Sequence, residues 1–159
     1  MPLSVTTRTA TADDARFAYR VRETTMREYV VATWGEWVPG QVREQIDQDI
    51  RECRLRVVEI GARAAGLMRV DELATHIHLD QLFLLPAHQH QGVGETLVRG
   101  ILETAKRKRI PVRLWVLRVN PARKLYERLG FTVIDETPAS LHLERCSRAH
   151  EEVDAHGKP

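Results

Sequence analysis

The chain has 159 residues, of which 43% are hydrophobic and 29% charged, the composition of one soluble globular domain. Its formal net charge of +2 is too small to favour nucleic acid or an acidic membrane as a partner. No apolar run reaches the roughly 18 residues of a membrane span, and the N-terminus lacks the pattern of a signal peptide. We therefore expect a cytoplasmic protein without nucleic-acid or membrane partners.

The cysteines and histidines do not have the spacing of a metal site. Cys53 and Cys146 stand alone and are typical of reduced cytoplasmic thiols. His76 and His78 alternate on one face of a predicted strand, and His88 and His90 flank Gln89 in a loop, so the seven histidines do not form a metal set. We therefore expect no metal ion.

The N-terminal part of the chain predicts one strand and two helices. The β-branched residues at 5–9 predict a short strand. Thr11 and Asp14 match a capping box, which predicts a helix from there to about Val31. A second helix is predicted over residues 41–51. Its apolar residues, one turn apart, are Val42, Ile46 and Ile50.

Two tryptophans stand between these helices, where Gly35 predicts a break in the helical structure. In one interpretation, Trp34 and Trp37 fix a corner between the helices. In the other, they form the wall of a substrate pocket, because aromatic side chains give contact area at low entropic cost.

Three strands are predicted next, at residues 55–60, 65–70 and 75–85, joined closely enough to form an antiparallel meander. The third strand is irregular, because its apolar residues change from odd to even positions. This change predicts either two buried faces or a β-bulge near Asp80 and Gln81. The apolar residues concerned are Ile77, Leu79, Leu82, Phe83 and Leu84.

A glycine turn, residues 89–95, follows the third strand and opens an amphipathic helix. Gly92 and Gly94 allow a ligand to approach the backbone closely. Since N–H groups at a helix start lack partners within the helix, the turn suits an anion such as a pyrophosphate. The apolar stripe of the helix consists of Val93, Leu97, Val98, Ile101, Leu102 and Ala105.

The C-terminal part predicts a strand at 112–119, a short helix, and two strands at 131–134 and 141–144. Asn120 is the predicted N-cap of the short helix, and Gly130 follows its end. We expect one domain over residues 1–146, followed by a polar tail at 147–159 that frays.

The motifs in the second half of the chain resemble the GNAT superfamily of N-acetyltransferases. The first motif is Gln89-x-x-Gly92-x-Gly94 after an apolar strand, and the second runs from Asn120 through Tyr126 to Gly130-Phe131. The order of elements agrees over nearly the whole chain. The resemblance implies an α/β (α+β) fold with a mixed, mostly antiparallel sheet of about six to seven strands and about four helices. It also implies a bulged strand at the cofactor cleft.

The resemblance implies that acetyl-CoA is the co-substrate and assigns residues to it. The pyrophosphate would bind the glycine turn, and the pantetheine arm would pair with the strand before it like an added strand. Asn120 would contact the pantetheine arm. The residues assigned in this way are Leu82, Phe83, Leu84, Gln89, His90, Gln91, Gly92, Val93, Gly94, Glu95 and Asn120.

The resemblance also implies which residues take part in the reaction. Tyr126 corresponds to the tyrosine that protonates the departing thiolate, although an aromatic packing role explains the same residue. The bulge would place a backbone donor for the thioester oxygen within residues 80–82. Asp80 is one candidate for the group that takes a proton from the amine. Glu28 and Glu36 are the others.

The resulting expectation is an N-acetyltransferase that moves an acetyl group to a primary amine, most simply of a small molecule, by direct attack on the thioester. Two alternatives stay open: a protein or peptide N-acetyltransferase, and a non-catalytic acyl-CoA-binding module. The substrate residues predicted for the acceptor are Glu28, Trp34 and Trp37. The protein is expected to be a monomer or a homodimer.

Overall fold

The computed structural model of the chain describes residues 4–146, so the predicted fraying tail at 147–159 lies outside the described residues. The helices are α1 (Ala15–Trp34), α2 (Pro39–Arg51), α3 (Val93–Lys108) and α4 (Arg123–Arg128). The strands are β1 (Val5–Thr9), β2 (Arg56–Ile60), β3 (Arg63–Glu72), β4 (Ile77–Leu84), β5 (Val112–Leu117), β6 (Thr132–Glu136) and β7 (Ser140–Arg145).

Hydrogen bonds join the seven strands of residues 4–146 into a sheet with the order β1-β2-β3-β4-β5-β7-β6. The pairs β1–β2, β2–β3, β5–β7 and β6–β7 are antiparallel, whereas β4 and β5 are parallel. Parallel neighbours need a crossover connection, and α3 provides it. The predicted fold class, a mixed and mostly antiparallel sheet with four helices, is confirmed.

The chain divides into two units by the density of its internal contacts. Within residues 4–146, the first contains residues 4–70 together with Asp80–Gly94, and the second contains Asp71–Leu79 together with residues 95–146. The predicted single domain over residues 1–146 stays a prediction.

The core of the first unit brings the two N-terminal helices together with the strands. α1 ends where Gly35 adopts a φ of 90°, a left-handed conformation that suits glycine, so the helix extends three residues beyond the predicted end at Val31. α2 begins with Pro39, whose fixed φ suits a first helical turn. The buried core residues are Ala10, Ala18, Val21, Ile46, Leu55, Val57 and Leu67.

The predicted capping box at the start of the first helical segment is confirmed. The Asp14 carboxylate accepts a hydrogen bond from the Thr11 backbone N–H at 2.7 Å. It also accepts two from Arg8, at 2.8 and 2.9 Å. Mainly because of the hydrogen bonds from Arg8, the pKa of Asp14 falls to about 2.

Replacing Asp14 by Asn is expected to lower the free energy of unfolding by about 1 kcal/mol at pH 7, a modest value because Arg8 is exposed to solvent. Because the folded-state pKa is depressed, the carboxylate stabilises the fold fully above its unfolded pKa. That contribution disappears as the pH falls from about 4 through 2. Urea unfolding at several pH values measures it. A difference between wild type and Asp14→Asn that is as large at pH 2 as at pH 7 would contradict the assignment.

Gly66 in β3 lies against the backbone of β4, where no side chain fits. A Cβ at this position would stand 2.1 Å from the carbonyl oxygen of Phe83 and 3.1 Å from the Cα of Leu84. We expect Gly66→Ala to lower the free energy of unfolding by about 3 kcal/mol, because the obstacle is backbone that cannot rotate away. Thermal unfolding should shift down by roughly 5 °C or more.

The matched control for this prediction is Gly100→Ala in α3. A Cβ at Gly100 meets nothing within 4 Å, and alanine favours a helix interior by about 1 kcal/mol over glycine. The control should therefore melt at or above the wild-type temperature. Equal melting temperatures for Gly66→Ala and wild type would show that β3 and β4 tolerate a side chain there.

β4 explains the irregular pattern of the sequence. Gln81, at an odd position like the buried Ile77 and Leu79, is itself buried with 6% exposure. Phe83 packs against the core of the first unit. The buried residues therefore keep one phase, and the apparent slip arises because a polar residue occupies a buried position. Register shifts occur in the pairs β2–β3 and β6–β7. The bulge predicted at Asp80 and Gln81 stays a prediction.

In the second unit, α3 buries its apolar stripe as predicted, with Val98, Ile101 and Ala105 at most 8% exposed. The predicted N-cap role of Asn120 is wrong in position, because α4 begins at Arg123 with Ala122 as its cap. The Asn120 side chain instead accepts a hydrogen bond from the Ala122 N–H at 2.9 Å and closes the turn before the helix. The buried residues of the strands are Val112, Leu114, Val116, Leu117, Leu141 and Leu143.

Candidate functional site

The glycine turn is held in shape by its own glutamines. The side-chain amide of Gln89 donates to the Leu84 carbonyl oxygen at 2.8 Å, and that of Gln91 donates to the Ala87 carbonyl oxygen at 3.0 Å. His90 and Gly92 both have left-handed backbones, with φ of 60° and 79°. The chain therefore turns sharply just before α3.

The position of Gly92 leaves room for a ligand. A Cβ built there would meet no atom within 4 Å, so the glycine faces open space rather than packed protein. The N–H groups of a first helical turn have no acceptors inside the helix, and they carry the positive end of the helix dipole. The turn and the start of α3 together therefore have the geometry of an anion site.

The charged side chains at the start of α3 largely neutralise each other. Glu95 accepts hydrogen bonds from Nε and Nη2 of Arg99 at 3.1 and 2.7 Å. His90 is exposed, and His88 is half-buried. An anion at this turn would therefore depend on backbone donors more than on side-chain cations.

In the first unit, the chain at the end of β4, just before the turn, is hydrogen-bonded to β3. The backbone N–H of Leu85 donates to the Ala65 carbonyl oxygen at 2.9 Å. Within residues 4–146, the parallel pairing of β4 with β5 covers Ile77 and His78. It therefore does not account for the backbone groups of the predicted cofactor residues Leu82–Leu84.

Asp80 belongs to a polar network that the sequence analysis missed. Nε2 of Gln81 donates to Oδ2 of Asp49 at 3.0 Å and to Oδ2 of Asp80 at 3.2 Å. Nη1 of Arg69 lies 3.0 Å from Oδ1 of Asp49 and 3.6 Å from Oδ2 of Asp80. Asp49 is buried with 4% exposure, whereas the side chain of Asp80 is 34% exposed. Asp80 thus has a fixed orientation and access to solvent.

Tyr126 lies in the second unit on α4 and is only 6% exposed. Its ring packs edge-on against Phe131, with 5.6 Å between the centroids. Burial raises the pKa of the Tyr126 hydroxyl to about 12, so the group keeps its proton at neutral pH. No hydrogen bond to this hydroxyl is made within residues 4–146, and its role in catalysis stays a prediction.

The predicted acceptor residues lie in different surroundings within the first unit. Trp34 is 59% exposed at the end of α1, and Glu28 is exposed as well. Trp37 is half-buried, and its indole N–H donates to the Tyr19 hydroxyl at 3.1 Å. Trp37 therefore joins the helices at a corner, as the first interpretation predicts, while Trp34 lies on the surface. Their binding role stays a prediction.

Two cavities in the described residues contain none of the predicted site residues. One, of about 360 Å³, is lined by Ala15, Arg16, Tyr19, Arg43, Ile46 and Asp47 in the first unit. The other, of about 190 Å³, includes Arg99, Lys106, Arg145 and Cys146 in the second.

Residues 4–146 contain no group of three or more His, Cys, Asp or Glu side chains that could hold a metal ion. In the same residues, no helix has both the length and the apolar character needed to cross a membrane.

Comparison with protein families gives a match over residues 18–131 to the acetyltransferase (GNAT) family. This stretch includes the glycine turn, α3 and Tyr126. No curated protein sequence matches the chain.

Comparison with solved structures gives the fold. The PaiA N-acetyltransferase of Thermoplasma acidophilum, solved in complex with coenzyme A, superposes with a TM-score of 0.70 at 19% identity, covering 90% of this chain and 99% of that one. An acetyltransferase of Thermus thermophilus superposes with a TM-score of 0.71 at 18% identity, covering 91% and 97%. Ard1 of Thermoplasma volcanium superposes with a TM-score of 0.66 at 18% identity, covering 90% of this chain and 97% of that one.

Proposed function

The chain belongs to the acetyltransferase (GNAT) family, and we propose that it moves the acetyl group of acetyl-CoA to a primary amine of a small molecule. The observation that carries the proposal is the family match over residues 18–131, which includes both motifs of the sequence. The open space at Gly92 supports it, because a side chain there would fill the place of a phosphate.

We assign the cofactor to the glycine turn and to β4. The pyrophosphate accepts hydrogen bonds from the backbone at residues 89–95, with the helix dipole of α3 behind it. The pantetheine amides pair with the backbone of Leu82, Phe83 and Leu84. Asn120, whose Oδ1 closes its own turn, contacts the pantetheine arm through its amide nitrogen.

Acetyl-CoA supplies the acetyl group as a thioester, and direct attack by a neutral amine forms the C–N bond while the C–S bond breaks. Asp80 accepts the extra proton of the attacking nitrogen, since its orientation is fixed by Gln81 and Arg69. Tyr126 donates its phenolic proton to the departing thiolate. Exchange with solvent then returns both side chains to their starting protonation states.

A second candidate function is acetylation of a peptide or protein amine. The exposure of Trp34, at 59%, favours it, because a surface tryptophan provides a contact for a large acceptor. In either case Glu28 is the acidic residue assigned to attract the ammonium group.

The test is release of coenzyme A thiol from acetyl-CoA in the presence of a panel of amines and short peptides. We expect amine-dependent release, with small amines used at least as well as peptides. Faster release with peptides would favour the second candidate function. Tight binding of acetyl-CoA without amine-dependent release would instead indicate a binding module without catalysis.

A further inference from the structure

Arg22 on α1 has a guanidinium group whose hydrogen-bonding capacity is mostly unused. Its Nη2 donates to Oε1 of Gln45 at 3.1 Å. Its Nε and Nη1 are buried and have no hydrogen-bond partner within residues 4–146. Buried polar groups without partners are rare in folded proteins, and each one calls for an explanation such as a bound ion or ligand.

The carboxylates near Arg22 do not accept hydrogen bonds from its Nε and Nη1. Burial lowers the pKa of Arg22, while the charges of Asp49 and Asp80 oppose that effect from nearby. Asp49, however, uses its oxygens for Arg69 and Gln81, and Asp80 lies against the same two residues. No ion pair to Arg22 is made within the described residues. The guanidinium of Arg22 is therefore a cation close to the polar network of Asp49 and Asp80, but it has no direct anionic partner there.

The position of Arg22 connects it to the proposed reaction. Its guanidinium lies over the ring of Phe83, 5.6 Å from the centroid. Phe83 is one of the β4 residues assigned to the pantetheine arm, and Asp80, assigned to the proton of the amine, precedes it by three residues on the same strand. An anion on Arg22 would thus lie beside the ring of Phe83, on the strand that also carries Asp80.

We infer that Arg22 binds a carboxylate of the acceptor, so that the substrates are amines that also carry a carboxylate, such as amino acids. This inference rests on the proposed function. The carboxylate replaces the neutral amide of the exposed Gln45 at Nη2, and a small rotation of the guanidinium brings Nη1, which is buried in the structure, to its second oxygen. A planar guanidinium binds a carboxylate through two parallel hydrogen bonds, which are stronger than a single bond to an amide.

The test compares matched acceptors in the thiol-release assay. Each standard amino acid is paired with its carboxamide, which keeps the amine and the side chain but removes the negative charge. We expect the acids that react to have a kcat/KM about tenfold or more above that of their amides. Amides used as well as acids, or reaction only with amines that lack a carboxylate, would overturn the inference.

Substitutions of Arg22 distinguish a role in binding the acceptor carboxylate from a role in folding. Arg22→Gln should raise the KM of the preferred acid about tenfold or more, while the KM of its amide and the Kd of acetyl-CoA stay unchanged. Arg22→Lys keeps the charge without the planar fork and should restore part of the acid preference. Arg20→Gln, which removes an exposed arginine from the same helix, is the matched control and should leave the acid preference as it is.

The outcomes also separate this inference from the proposed function. If amines are acetylated but Arg22→Gln and wild type prefer acids to the same degree, the acceptor inference fails and the acetyltransferase proposal stands. If no amine causes thiol release, both fail. If Arg22→Gln does not fold, Arg22→Lys decides, because an unchanged KM for the acid in that variant would also overturn the inference.

Discussion

Replacing Gly94 by Glu is expected to abolish binding of acetyl-CoA and to leave the fold intact. Gly94 is the second residue of α3, where the assigned pyrophosphate meets the helix start. A glutamate there adds bulk and negative charge where an anion is to bind. The same charge is favourable for the helix itself, because acidic residues stabilise the first turn through the helix dipole.

Isothermal calorimetry of acetyl-CoA binding measures this effect, with thermal unfolding as the check on folding. We expect loss of affinity by about a hundredfold or more, with a melting temperature near that of wild type. Gly100→Glu is the matched control, because Gly100 lies in the same helix with open space around it. Unchanged affinity in Gly94→Glu would show that the glycine turn does not hold the cofactor.

Tyr126→Phe is expected to lower kcat by about a hundredfold while leaving the Kd of acetyl-CoA nearly unchanged. General acid catalysis by a positioned side chain commonly contributes a factor of this order. The pKa of Tyr126 is raised to about 12, so the hydroxyl carries its proton throughout the pH range of an assay. Phenylalanine keeps the edge-on contact with Phe131 and removes only the proton donor.

Thermal unfolding provides the control for this variant. The hydroxyl makes no hydrogen bond within residues 4–146, so its removal should not lower the melting temperature. A kcat within twofold of wild type would instead make Tyr126 a packing residue. In that case the thiolate would have to leave without a proton from this side chain.

The parts of the fold that depend on local sequence could be predicted. The apolar residues of α3 recur every three or four residues. Gly35 and Gly130 occupy positions with a φ of 90°. The capping box of Thr11 and Asp14 lies within four residues. Each of these signals is contained in a short stretch of chain, so composition and spacing were sufficient.

The parts of the fold that depend on long-range contacts could not be predicted from the sequence. Asp49 and Gln81 are separated by 32 residues, and nothing in the local pattern of α2 or β4 indicates that they bond. Two signals were present but ambiguous: a glutamine at an odd position in β4, and an aspartate one turn after Ile46 on the apolar side of α2. Both mark polar groups that are buried because they satisfy each other.

The position of Asn120 shows a similar limit. Asparagine, proline and a following helix predict an N-cap, but an asparagine side chain can close a turn two residues onward just as well. The structure adopts the second arrangement, and α4 starts three residues later. For Trp34 the sequence offered no measure of exposure, because burial depends on which elements pack around the end of α1.

Mass analysis of amines after incubation with acetyl-CoA and the wild-type protein tests the acetyl transfer itself. We expect an acetylated amine as the product, with one free coenzyme A thiol released for each molecule of product. We also expect Tyr126→Phe to form this product about a hundredfold more slowly. Binding of acetyl-CoA with no acetylated product from any small amine or peptide would contradict the proposed acetyl transfer.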